Sequence, residues 1–418
     1  MSMLLRTTLR SSSASVLLPL LAGFVLVVIG PDLTPWVTAH YWPSVTGNAT
    51  LALPFVAAAC AASAAWEGAR LSRGRAFDQA PVRGPLAITI PVLIPVVVMG
   101  LVGMALALLL SADAADVGLG LPSLGILSVV TGVLITNTVV GCVVGRVMPA
   151  VLAAPLALIS SFFVNAYPSS WSIYWLRHLV GGGLDNCCSA DTALDTRALS
   201  SPVVFMTAVC LAAFVLIWRR GSMASLAVAL VLTLGGFGIA GYLARDLGAE
   251  PLQARQTSDL LCDGERPTVC LWPEVSDKAM VHRETQSAVA RFEAAGIRIA
   301  GTLTMAHRPA SDESTLGIPT DPRVQDIPAG VASGMLPPVP DCALKGRPYP
   351  AGDSIGPMAA WLYAIAGAPV DSVAGRFGEQ EAAFAQRLLK QPRAAQVSWF
   401  ERTTEAMRHC GTAAPRVG

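Results

Sequence analysis

Cysteine is the residue type in this chain with the most chemistry to offer, and nine occur. Cys60, Cys142 and Cys210 lie inside long apolar runs, Cys187 and Cys188 are adjacent, and Cys262, Cys270, Cys342 and Cys410 fall near the C-terminus. Four cysteines in one such stretch suit two disulfides, which persist in oxidising compartments. Cys262 and Cys270 flank the turn-like segment DGERPTV and are expected to pair. Cys342 with Cys410 follows by elimination, although four cysteines allow three connectivities. No CxxC occurs, so the expected role is bracing rather than redox exchange. For Cys187 and Cys188 a mutual bridge, links to the tail and free thiols all stay open.

Other chemistries find little support. The histidines are His40, His178, His282, His307 and His409. His282 and Glu284 share a helix but not at metal-ligand spacing. There is no HExxH, no GxSxG and no zinc-spaced cysteine set. Ser333, in ASGM, has no identifiable base beside it. No GxxxxGK[ST] is present, so the chain has no phosphate-binding loop with which to take ATP itself. No metal site and no catalytic residue are expected.

The elements that would position any site are apolar. Hydrophobic residues make up 53% and charged residues 14%, where soluble domains carry roughly 25% charge. The net charge of +1 gives no reason to expect nucleic acid. Seven apolar runs fill the first 243 residues: Ser15–Gly30 with its flanks, Thr46–Trp66, Leu86–Leu110, Leu121–Gly145, Met148–Tyr167, Pro202–Trp218 and Ser222–Leu243. About 20 mainly apolar residues cross the hydrocarbon of a bilayer. None of these runs contains Asp, Glu, Lys, Arg or His. Ion-driven carriers usually hold an ionisable group inside the bilayer, so the driving force is expected to enter from elsewhere.

The loops set an expected orientation. With the N-terminus inside, the inner segments hold Arg6, Arg10, Arg70, Arg73, Arg75, Arg83, Arg146, Arg219 and Arg220, and the outer loops only Arg177 and Arg197. Basic residues collect on the cytoplasmic side. Seven crossings then place everything after about residue 244 outside, in a plasma membrane. Leu4, Leu5 and Leu9 beside Arg6 and Arg10 suit a short helix along the inner interface or a frayed terminus. The first run is read as a retained helix, since no small-x-small cleavage site follows it.

Small residues suit close helix packing, notably Gly141 and Gly145 in GxxxG spacing and the last span's glycines, a weak dimer signal. Pro54, Pro91, Pro95 and Pro155 should bend their helices. Thr131, Thr136, Asn137 and Thr138 either bridge helices or line a polar path, bridging being favoured. Trp171, Tyr174 and Trp175 form an aromatic group at the outer boundary. They suit a short re-entrant helical segment ended by Gly181–Gly183, either an outer lid or a plain aromatic belt.

Beyond Tyr242 charge returns, and residues 244–258 read as a linker. Thr268–Trp272 suits a buried strand. A helix follows, capped by Ser276 and helped by Asp277, with Val281, Thr285, Ala288, Val289 and Phe292 on one face. Gly296 closes it and Ile297–Ile299 begins a second strand. Residues 308–357 form a Pro/Gly-rich stretch too long for a simple connector, and helices at Glu379–Lys390 and Arg393–His409 finish the chain. The expected architecture is a polytopic α-helical membrane protein of about seven transmembrane helices (residues 1–243), joined by the linker to a disulfide-braced α/β extracytoplasmic domain (residues 259–418).

The loop after the second run has Arg70, Leu71, Arg73, Arg75 and Phe77 between Glu67 and Pro81. It suits either a short basic helix that docks a cytoplasmic partner or a solvated loop. Two spans, this loop, three spans, an aromatic outer segment and another span, with no ATPase motif, resemble the membrane subunit of exporter-type ABC transporters. The resemblance is architectural and covers roughly residues 1–220. It implies that Glu67, Arg70, Leu71, Arg73, Arg75 and Phe77 contact a separate ATP-binding cassette subunit, which would hold ATP and magnesium. It also implies a second permease copy or paralogue. The seventh span and outer domain depart from that pattern, and Pro267–Glu274 (PTVCLWPE) is similar to a segment of actinobacterial permease-like proteins. The alternatives are a membrane-anchored, peptidase-like extracytoplasmic enzyme and an envelope signalling or assembly subunit.

Overall fold

The computed structural model describes residues 12–75, 84–218 and 222–415. The expectations for Leu4, Leu5, Arg6, Leu9, Arg10, Phe77, Pro81, Arg83, Arg219 and Arg220 fall outside these. The chain forms two compact units that divide between Gln253 and Ala254. The division runs through the stretch read as a linker, because Leu247 is buried in the first unit's core.

Six helices of the first unit are long and apolar enough to cross a membrane. They are α1 (Ser13–Leu33), α2 (Trp42–Arg73), α3 (Pro85–Ala114), α4 (Leu124–Val147), α6 (Thr196–Trp218) and α7 (Met223–Ala244). The remaining apolar run forms α5 (Ala150–Ala166), which is shorter. The run Met148–Tyr167 is long enough on paper, but Met148 and Pro149 adopt extended backbone and Tyr167-Pro168 opens a 3-10 turn. The 17-residue helix that remains is about 25 Å long, at the lower limit for a span.

Cross-contacts fix the helix directions. Ser13 meets Glu67 and Phe24 meets Phe55, so α1 and α2 are antiparallel. Gly132 approaches Met206 and Thr136 meets Cys210, so α4 and α6 are parallel. Ser201 donates to the Ala240 carbonyl while Gly236 abuts Ala208, so α6 and α7 are antiparallel. One end of the bundle therefore gathers Ser13, Glu67, Ser72 and Arg146, and the other Thr38, Tyr41, Cys188 and Thr192.

The tightest seam joins α2 to α4. A Cβ on Gly141 would strike the Ala61 carbonyl, one on Gly145 the Ala65 carbonyl, and one on Gly68 the Cys142 carbonyl. Helices gain little from apolar burial when the alternative is lipid, so backbone approach and van der Waals packing hold them together. Gly141 and Gly145 are thus spent within the chain, not on a dimer face. Ala153 and Ala157 of α5 complete a small-residue cluster with Ala61 and Ala65.

The second unit has a four-stranded sheet, β3 (Leu261–Asp263), β4 (Thr268–Leu271), β5 (Thr302–Thr304) and β6 (Glu313–Thr315), in that spatial order. (Strands β1, Thr192–Leu194, and β2, Leu252–Ala254, pair separately.) β3 runs antiparallel to β4, and β4, β5 and β6 are parallel. Cys262 lies opposite Cys270 in the register, and the two are bonded, as are Cys342 and Cys410.

The crossover helix α8 (Lys278–Ala294) buries Val281, Thr285, Ala288, Val289 and Phe292. Its cap is Asp277, whose carboxylate accepts from the Met280 amide at 3.0 Å, while Ser276 donates instead to Asp321 at 2.7 Å. The strand expected at Ile297–Ile299 begins only at Thr302. Ile297 is buried, its amide held by the Phe292 carbonyl at the helix end. The Pro/Gly-rich stretch is not one loop: it contains β6 and α9 (Asp326–Ser333). After a single helical turn at Asp341–Leu344, four longer helices complete the described part of the unit: α10 (Ile355–Ile365), α11 (Val370–Phe377), α12 (Glu379–Leu389) and α13 (Arg393–Met407). The sequence reading missed α10, which buries Met358, Trp361 and Leu362. Trp361 then meets Trp399 of α13 edge-on.

Gly145→Leu should cost about 3 kcal/mol or more, because backbone stands where the side chain must go. Gly235→Leu, where nothing lies within 4 Å, should be near neutral. Thermal unfolding of the detergent-solubilised full-length protein, followed by size-exclusion chromatography, compares the two.

Candidate functional site

The basic end is built by the last turns of α2, which run unbroken from the apolar stretch through Arg73 to Gly74. Glu67 to Arg73 is thus the end of a long helix; among the described residues no separate docking helix forms. Glu67 turns inward and is fully buried. Its carboxylate accepts from the Ser13 amide at 2.7 Å and faces the Arg70 guanidinium at 3.1 Å. Ser13 and Ser63 hydroxyls add a 2.7 Å contact. Glu67 therefore clamps the start of α1 to α2 and presents no exposed charge. Arg70, Arg73 and Arg75 are exposed, and Leu71 is half-buried. Arg73 sits 6.0 Å over the Trp66 ring, and Arg75 takes a left-handed turn (φ 45°) beyond the helix. Arg146, closing α4, reaches the Ile217 carbonyl at 3.4 Å. The result is a rim of exposed cations around one neutralised carboxylate.

Between them, α4, α5 and α6 form a half-open cavity of about 240 Å³. Its polar wall comes from Thr136, Asn137, Ser160, Ser161 and Asn165; the rest is apolar, and no lining residue is ionisable. Asn137 is the hub. Its carbonyl oxygen accepts from Ser161 at 2.7 Å and from Asn165 at 3.4 Å, and its amide donates to the Val133 carbonyl at 2.9 Å. Thr136 contacts the Cys210 thiol at 3.2 Å. Bridging and lining therefore coincide at Asn137. Thr138 satisfies the Leu134 carbonyl within its own helix and also hydrogen-bonds the Cys60 thiol of α2. The contributions of Ser161 and Asn165 were missed in the sequence; their four-residue spacing on an otherwise apolar helix was the available signal.

At the other end, short turns at Tyr167–Ser170, Tyr174–Arg177 and His178–Val180 form the aromatic segment, ended by Gly181 at φ 77° and Gly183 at φ 85°. Trp171 and Tyr174 are exposed, while Trp175 packs on Phe237 and Gly241 of α7. Arg177 bonds the Trp171 and Ala249 carbonyls, both at 3.0 Å. His178 is buried, and its Nε2 lies 2.9 Å from the Gly248 carbonyl. A carbonyl only accepts, so Nε2 carries the proton. Cys187 and Cys188 are bonded to each other, and the Cys188 carbonyl accepts from Thr38 at 2.9 Å.

No three His, Cys, Asp or Glu side chains group as metal ligands among the described residues. His40 binds the Asp116 carbonyl, and His409, just past α13, pairs with Glu405 in its last turn. Ser333 donates to Gly330.

Residues 269–410 match a family described as a domain of unknown function (DUF7224). The match begins in β4, ends at the bridged Cys410 and lies wholly within the second unit. Neither curated proteins nor solved structures yield a match.

Burial lowers the pKa of His178. The folded state therefore favours neutral imidazole. That contribution is complete above the ordinary value of about 6.5 and is lost as pH falls below it. Burial raises the carboxyl of Asp185, which acts in the opposite sense: its contribution declines as pH rises through the raised value. Amide exchange around residues 178–183 and 247–249, corrected for intrinsic rates, should quicken between pH 7.5 and 5.5. His178→Gln, which keeps a donor but does not titrate, should abolish that change and leave the Asp185 effect.

Proposed function

We propose that this chain is the membrane-spanning permease subunit of an ATP-driven exporter, energised by a separate ATP-binding cassette subunit at the basic end. One observation carries the reading: the half-open cavity between α4, α5 and α6 has no ionisable lining residue. A carrier driven by a proton or ion gradient needs a group that binds what it moves. The buried carboxylate of Glu67 stands apart from that cavity and is already committed to Ser13 and Arg70. Work must then come from a partner, and the chain lacks a phosphate-binding loop of its own.

Arg70, Leu71, Arg73 and Arg75 form the contact surface on this reading, with Phe77 beyond them. Glu67 sets the position of this surface from within. The partner supplies ATP and magnesium, and a second permease copy or paralogue completes the transporter in the plasma membrane. With the basic end cytoplasmic, seven crossings put the second unit outside, where its disulfides persist.

Affinity purification of the full-length protein from its native membrane should bring down an ATP-binding cassette protein. Arg73→Glu with Arg75→Glu should lose at least tenfold of that partner while leaving the elution profile of the permease unchanged. Arg70 is left intact because it also neutralises Glu67. Solute uptake driven by a pH or voltage gradient in vesicles containing this chain alone would overturn the reading.

A further inference from the structure

The cavity around Asn137 does not end at its polar wall. A second cavity, of about 360 Å³, is lined by Phe163, Tyr167, Pro168, Trp171 and Phe237 with other apolar residues. The two share Val164, Leu179, Val180 and Phe205. They adjoin along α5, as a slot that reaches from the Asn137–Ser161 level to the aromatic segment at Tyr167–Trp171. Ser161 to Tyr167 spans about 9 Å along the helix axis. Phe163, Val164 and Tyr167 are exposed on the outward face of the bundle, so the slot adjoins the lipid.

The polar end is incomplete. Asn165 uses its amide on the Ser161 carbonyl at 2.7 Å and on Asn137 at 3.4 Å. Among the described residues its side-chain oxygen accepts no hydrogen bond and one N–H of Asn137 donates none. In hydrocarbon an unpaired carboxamide oxygen costs free energy that a hydrogen-bonding ligand removes. The slot offers no charge to neutralise an ionic head group, and burying an unpaired ion costs far more than burying a hydroxyl. The wall beyond is aliphatic and aromatic, which suits a chain rather than a sugar or peptide.

We propose that this slot binds a single-chain amphiphile with an uncharged hydrogen-bonding head, of the fatty alcohol or monoacylglycerol class. Its head sits at Asn137 and Asn165, and its chain runs between Val164 and Phe205 toward Trp171. The site lies within one chain's bundle. The inference needs the first unit to be membrane-embedded but does not need an ATPase partner, so its failure and that of the preceding reading are told apart.

The test uses the full-length protein in lipid nanodiscs with two photoactivatable probes of equal chain length, a fatty alcohol and a fatty acid held anionic at pH 9. Labelled peptides are mapped by mass spectrometry. The alcohol should label residues 133–144 and 157–180 at least fivefold over the lipid-facing stretch 223–240, and unlabelled alcohol should compete. The anion should label the slot at least fivefold less. Asn165→Leu should weaken alcohol labelling about tenfold, and Val164→Trp, which fills the junction, should remove it. Both variants are first checked for unchanged elution.

Equal labelling of 223–240 would mean bulk lipid contact only and would overturn the proposal. So would equal labelling by the two probes, or full labelling of both variants. Solvent extraction then identifies the source: a retained, stoichiometric neutral lipid marks a bilayer component, and an empty, exchangeable site marks a cargo. Either result supports the site.

Discussion

The first unit depends on how closely two backbones approach. In lipid, leucine gains nothing by touching another leucine rather than an acyl chain. What holds the bundle is contact that lipid cannot reproduce. Gly141 and Gly145 of α4 lie against the Ala61 and Ala65 carbonyls of α2, and Gly68 returns the contact against Cys142. Because that seam is narrow, Ala153 and Ala157 can bring α5 onto the same face of α2. α5 is then held beside α4 at a spacing that lets Ser161 and Asn165 reach Asn137. The polar hub, and the cavity it lines, are consequences of the small-residue seam.

Charge is managed by separation. Arg70, Arg73 and Arg75 stay exposed at one end of the bundle, while Glu67 is taken inside, where one carboxylate oxygen accepts from a backbone amide and the other faces the Arg70 guanidinium without a hydrogen bond. A buried carboxylate is tolerable only with such partners. Its geometry links the start of α1 to the end of α2. At the opposite end His178 and Arg177 fasten the aromatic segment to the 248–249 carbonyls. The segment that walls the slot is thereby tied to the chain leaving α7.

Much of the fold is legible in the residues. The helical face of Val281, Thr285, Ala288, Val289 and Phe292 carries its 3.6-residue period openly, and Cys262 and Cys270 announce their bridge across a turn. The misreadings share a cause: local preference yielding to tertiary demand. Ser276 looks like the cap of α8, but Asp321 claims its hydroxyl and Asp277 takes the role. Ile297–Ile299 looks like a strand, but Ile297 is held at the helix end and the strand waits for Thr302. Helix α10 hides behind glycines and prolines because Trp361 finds its partners, Trp399 and Phe400, only across the fold.

By itself the sequence determined the class: long uncharged runs must lie in lipid, basic residues must collect at one face, and no nucleotide motif is encoded. Those are properties of composition and local period, which need no partner to be read. Only the tertiary structure decided that the GxxxG pair is consumed internally, that Glu67 points inward, that Cys187 and Cys188 close on each other, and that α5 is a short helix. It alone brought Asn137, Ser161 and Asn165 together. Each of these depends on distances between residues far apart in the chain, and such distances are set by helix packing rather than by any local preference.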